Sequence, residues 1–124
     1  MSYITSDQLI RKLRTQIREM DVYELQQRLE LDDELVLIDI RELDEWAQGR
    51  VEGAIHIPRG FLELQIENNV VDRDRPIAVM CAGGVRSLLG ARDLAELGYT
   101  DVASVAGGFR QSAGRPWNPQ ALSR

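Results

Sequence analysis

The sequence predicts an α/β domain built on a mainly parallel β-sheet. Three observations predict it. Short apolar runs recur without polar alternation, as strands covered on both faces require. Amphipathic helical patterns lie between those runs. Gly or Pro stops many of these segments.

The first pattern covers residues 5–20. Leu9, Ile10, Leu13, Ile17 and Met20 fall near one helical face, and Thr5, Ser6 or Asp7 can cap its start. Its other face carries Arg11, Lys12, Arg14 and Arg18 against Asp7 and Glu19. Residues 1–20 therefore read as an N-terminal amphipathic helical extension, either packed on the domain or turned toward a partner. Val22 to Leu29 places Val22, Leu25 and Leu29 on one face of a second helix. The first strand is Leu35 to Ile40, a run of branched residues broken only by Asp39. Glu42 to Gln48 is a short polar helix closed by Gly49. Ala54 to Ile57 is a strand stopped by Pro58, and Phe61 to Ile66 a further helix. Ile77 to Met80 is a strand entered by Pro76 and followed directly by Cys81. Ser87 to Leu97 is a helix with Gly98 as its stop, and Val102 to Val105 a last strand before Gly107-Gly108. The domain is expected over 21–116, with an irregular tail over 117–124.

Composition narrows the function. At 124 residues the chain holds one core. Hydrophobic residues at 44% and charged residues at 28% fit a folded soluble domain and exclude disorder. No apolar run approaches membrane-spanning length, and the first residues lack the apolar stretch of a secretion signal, so a cytoplasmic setting is expected. A net charge of −5 argues against general nucleic-acid binding, which needs a basic face. One cysteine excludes an intramolecular disulfide, and with one histidine it cannot form an ordinary Cys/His zinc site.

The informative segment is Cys81-Ala82-Gly83-Gly84-Val85-Arg86-Ser87. It lies between a buried strand and a helix, where α/β sheets hold ligands. Gly83 and Gly84 let the loop turn successive N–H groups inward as an anion nest. The helix beginning near Ser87 adds its positive end, and Arg86 adds a full charge. All three should lower the Cys81 pKa and favour the nucleophilic thiolate. An apolar wall of Ile77, Val79 and Leu88 should oppose them, and the sulfur should not sit deep in the core. His56 lies on another strand and reads as structural, so a Cys–His hydrolase is a weak alternative.

Four motifs together resemble the rhodanese family. Leu37 to Glu42 is similar to its first signature, an aspartate and arginine ending a central strand. Glu45 to Pro58 is similar to its second, an acidic and aromatic pair leading to a glycine-rich turn and a strand that stops at proline. Cys81 to Ser87 resembles its active-site loop, and Val105 to Phe109 its glycine pair after the last strand. Order and spacing agree over roughly residues 20–116. Two positions depart: Arg50 stands where histidine is frequent, and Ser112 where a tryptophan is usual. The resemblance implies a three-layer domain with a five-stranded parallel sheet flanked by helices. It also implies a sulfurtransferase in which Cys81 takes sulfur from a small anionic donor such as thiosulfate. The resulting persulfide passes to cyanide or a thiol, with no metal or organic cofactor. Arg86 would bind the donor anion. Asp39 would order nearby loops by accepting N–H bonds, and Arg41 would pair with an acidic residue.

Two other readings remain. A sulfur relay would use a protein donor or acceptor at the same cysteine. A cysteine phosphatase or arsenate reductase would need five residues between cysteine and arginine to surround a tetrahedral oxyanion, and here only Ala82, Gly83, Gly84 and Val85 intervene. Trp46 reads as core packing, and Arg59 and Arg110 as residues near the mouth that the sequence does not place.

Overall fold

The computed structural model describes residues 2–31, 34–113 and 122–123. Among the described residues, seven strands and six α-helices follow in the order α1 (Ser6–Gln16), β1 (Arg18–Asp21), α2 (Val22–Leu31), β2 (Val36–Asp39), α3 (Leu43–Gln48), β3 (Arg50–Val51), β4 (Ile55–His56), α4 (Leu62–Asn69), β5 (Ile77–Met80), α5 (Arg86–Glu96), β6 (Val102–Ala106), α6 (Gly108–Ala113) and β7 (Leu122–Ser123). The main sheet has five strands in the order β1-β6-β5-β2-β4, and every pairing in it is parallel. The expected α/β fold with helices on both faces is the observed one.

Successive strand residues point to opposite faces, so each face takes alternate members of an unbroken apolar run. Val36, Ile38, Ile77 and Val79 join Ile66, Ala91 and Leu94 on the face covered by α4 and α5. Leu35, Leu37, Ala78 and Met80 join Val22, Leu25 and Val105 on the other. Cys81 belongs to the α4/α5 face.

The N-terminal pattern divides differently from the expectation. Thr5 caps α1 through a capping box with Gln8, and Leu13 is buried, but the helix stops at Gln16. Ile17 is already extended, and Arg18–Asp21 forms the edge strand β1 paired with β6. Met20 is buried as a strand residue, not on a helical face. The apolar spacing could not separate the two because Ile17 and Met20 continue the stripe of α1. At the other end, Leu122–Ser123 pairs antiparallel with Arg50–Val51. The rest of the expected irregular tail lies outside the described residues.

Candidate functional site around Cys81

Strand β5 ends at Met80, and the chain turns at Cys81 into a loop that closes at the start of α5. Gly84 makes that turn possible. Its φ is +95°, and a Cβ there would lie 3.0 Å from the Gly107 nitrogen and 3.2 Å from the Val105 oxygen. In this conformation its N–H donates to Cys81 Sγ at 3.1 Å. Gly83 does not take a positive φ, so only one of the two loop glycines provides the expected conformational freedom. The missing side chain of Gly83 instead leaves space for Arg110, whose guanidinium would lie 2.8 Å from a Cβ at that position.

The loop is also held from outside. The N–H groups of Phe109 and Arg110 donate to the carbonyls of Cys81 and Ala82 at 2.9 and 3.0 Å. Gly108 permits this approach, because a Cβ there would collide with the Cys81 carbonyl and lie 2.7 Å from that of Ala82. Inside the loop, Ser87 Oγ is 3.4 Å from Cys81 Sγ and 2.7 Å from Ser104 Oγ on β6. The thiol donates to Ser87, and the thiolate accepts from the same hydroxyl, which rotates to suit. Ser87 and Ser104 are both fully buried.

Cys81 is only 1% exposed, deeper than the sequence suggests for a nucleophile that meets an anionic donor. Burial pushes its pKa up, but the Ser87 hydroxyl and the N–H groups of Ser87, Gly84 and Gly83 outweigh it. The thiol is held below its ordinary value. Arg86 interacts with the sulfur through its charge but is not among the leading causes of this lowering. It opens α5 and reaches Glu45 on α3, with bonds of 3.0 and 3.1 Å in a bidentate pair. The pairing with Arg86 holds the Glu45 carboxyl down at about 2.

Asp39 and Arg41 meet beneath this pair. The Arg41 guanidinium reaches the Asp39 carboxylate at 2.8 Å, and the Arg41 N–H donates to it at 3.0 Å. Arg41 also donates to the Gly49 carbonyl at 2.8 Å and lies 3.9 Å over the Phe109 ring. Both ends of the pair are buried. His56 donates to the Arg41 carbonyl at 2.7 Å and stacks on Trp46, a structural role. Trp46 is half-buried between His56 and Arg50 rather than in the core. Arg59 is engaged by Glu63 and Asp93, so it is tied to α4 and α5. A cavity of about 290 Å³ opens beside the loop, lined by Arg41, Glu45, Gln48, Ala82, Phe109 and Arg110.

The structure thus brings Gly83, Gly84 and Ser87 to the sulfur, turns Arg86 toward Glu45, and pairs Asp39 with Arg41, which is tied to the carbonyl of Gly49. Ser104 is absent from the sequence reading, although a serine within the apolar run of β6 is a detectable signal. Glu45 as the partner of Arg86 is a contact across 41 positions of chain, which no local pattern reveals.

A family model for the rhodanese-like domain matches residues 21–113, and the chain belongs to that family. Among relatives, YtwF of Bacillus subtilis (strain 168), provisionally named a sulfurtransferase, is 36% identical over 94 residues, covering 76% of this chain and 88% of that protein. YrkF of the same organism, provisionally named a sulfur carrier protein, is 29% identical over 99 residues, or 80% of this chain. The chain spans about half of that relative's length, 52%. Among solved structures, a thiosulfate sulfurtransferase from Pseudomonas aeruginosa superposes with a TM-score of 0.77 at 28% identity, over 94% of this chain and 22% of that one. These relatives are named for sulfur transfer or sulfur carriage. Among the described residues, no helix is long and apolar enough to cross a membrane.

Proposed function

We propose that the protein is a sulfurtransferase carrying sulfane sulfur as a persulfide on Cys81. The observation that carries this reading is the cradle of N–H and hydroxyl dipoles around a sulfur whose pKa they lower. Such dipoles stabilise negative charge on sulfur in both the thiolate and the persulfide. The donor is a small sulfur-containing anion such as thiosulfate. The Cys81 thiolate attacks its outer sulfur, the S–S bond of the donor breaks, and sulfite leaves with the bonding pair. Cyanide or a thiolate then attacks the outer persulfide sulfur and returns Cys81 as thiolate. Splitting the transfer in this way is ordinary nucleophilic catalysis and calls on no cofactor.

The test is whole-protein mass. Thiosulfate should add one sulfur atom, cyanide should remove it, and Cys81→Ser should take up none. Equal loading of that variant would sink the reading.

The relative named as a sulfur carrier favours a second reading, in which another protein delivers or collects the sulfur. Helix α1 packs on α5 and leaves Arg11 and Lys12 exposed, a basic face available to such a partner.

A further inference from the structure

The charges around the loop do not fall where the loop sequence suggests, and counting them leaves one cation unassigned. Arg41 is neutralised by Asp39 in a buried pair at 2.8 Å. Arg86 is neutralised by Glu45, which engages both of its terminal nitrogens. The low pKa of Glu45, about 2, keeps that neutralisation intact at any working pH. Arg59 is taken by Glu63 and Asp93. Among the described residues, Arg110 is the one cation lining the cavity beside the loop that has no acidic partner. Its backbone is fixed by the N–H bond to the Ala82 carbonyl. Its guanidinium lies against Gly83, two positions from the nucleophile, in space that a Cβ at Gly83 would crowd.

We propose that Arg110, and not Arg86, is the residue that attracts and binds the anionic sulfur donor at the Cys81 loop. The proposal rests on the sulfurtransferase reading and names the specificity-determining charge of the same site. An arginine already forked onto a carboxylate has its planar donors occupied, and a donor anion would have to displace Glu45 to use them. Arg110 offers the same fork with nothing to displace. Its exposure lets it act on approaching anions through solvent, so its effect falls as salt rises. It exerts a smaller pull on a neutral reagent, which gives the site a preference by charge.

The experiment uses two alkylating reagents of nearly equal size, anionic iodoacetate and neutral iodoacetamide, on the full chain. Both attack the Cys81 thiolate, so their rate ratio cancels the thiolate fraction and any opening of the loop. In the wild type the ratio should fall as salt is raised from about 0.01 M to about 1 M, where the Debye length shortens from roughly 30 Å to 3 Å. Arg110→Gln should lower the low-salt ratio by about fivefold, the scale of one screened charge-assisted contact, and remove its salt dependence. Arg110→Lys should restore part of it, and the double variant Arg86→Gln/Glu45→Gln, which removes the pair without leaving a bare carboxylate beside Arg110, should leave the ratio near the wild-type value. The KM for thiosulfate should follow the same order. A ratio that Arg110→Gln leaves unchanged overturns the proposal, and so does a ratio that falls as far with the charge-balanced Arg86→Gln/Glu45→Gln variant. The two readings fail separately. If Arg110 sets the alkylation ratio but thiosulfate adds no sulfur to Cys81, the anion site stands and the sulfurtransferase reading falls.

Discussion

The immediate surroundings of Cys81 and the rim of the neighbouring cavity treat charge in opposite ways. Among the described residues, the groups hydrogen-bonded to the sulfur are neutral dipoles: the Gly84 N–H at 3.1 Å and the Ser87 hydroxyl at 3.4 Å, backed by Ser104. On the rim there are full charges: Arg41, cancelled by Asp39; Glu45, paired with Arg86; and Arg110. The difference separates two tasks that a glance at the loop sequence merges. Dipoles fixed by the fold lower the thiol pKa in a site that excludes water, where they act strongly and need no rearrangement. The rim charges organise loops and sort ligands.

The largest effect should come from breaking the buried member of the rim. Asp39→Ala leaves the Arg41 guanidinium buried without its counter-charge and should cost about 3–5 kcal/mol. The denaturant midpoint measures this. A loss near that of an exposed pair, about 0–1 kcal/mol, would mean water reaches Arg41.

The next effect separates dipole from charge directly. Ser87→Ala removes the largest of the contributions that lower the Cys81 pKa, so the midpoint of iodoacetamide alkylation against pH should move upward. Arg86→Ala should move it less, because Glu45 already compensates that arginine. The reverse order would show that charge, not dipole, sets the thiolate population.

The smallest effect concerns the half-exposed pair. The Glu45 pKa is lowered from 4.5 to about 2 in the folded state, so its stabilisation is complete above pH 4.5 and is lost as pH falls toward 2. Glu45→Gln should therefore reduce stability at neutral pH by under about 1 kcal/mol and flatten its dependence across that acid window. A wild type and variant with equal acid slopes would mean that the pair is already broken in solution.

How much of this was legible follows the same division. The strand before Cys81, the loop and the helix after it are sequence-local: an apolar run, glycines, then a helical stripe. Asp39 and Arg41 were legible one by one, as an acceptor of loop N–H bonds and as the partner of an unnamed acid; that each is the other's partner comes from the structure, although they lie two residues apart at the end of a strand. The polar edge strand β1 was not, since only Met20 of its four residues is buried and its polar neighbours resemble a helix surface. Likewise Arg86 reads locally as a neighbour of the sulfur. Its direction is fixed by Glu45, which lies near only once β2 and β5 are paired and α3 is placed beyond them. Arg110 acquires its position from the docking of α6, which the sequence cannot register against the loop.

That docking has a consequence for timing. Two α6 amides hold the carbonyls of Cys81 and Ala82, which keeps the negative ends of those peptide units occupied while the N–H groups of Gly83, Gly84 and Ser87 serve the sulfur. A sulfur that is 1% exposed meets a donor only when this packing yields. Loosening the loop means surrendering the two α6 bonds as well, so opening is a shared, cooperative event rather than the flutter of an isolated turn. On the proposed sulfurtransferase reading, α6 would act as a latch on the cargo: how often it lifts would set how often sulfur enters, and how long it stays shut would set how long a persulfide is kept from stray nucleophiles in the surrounding water.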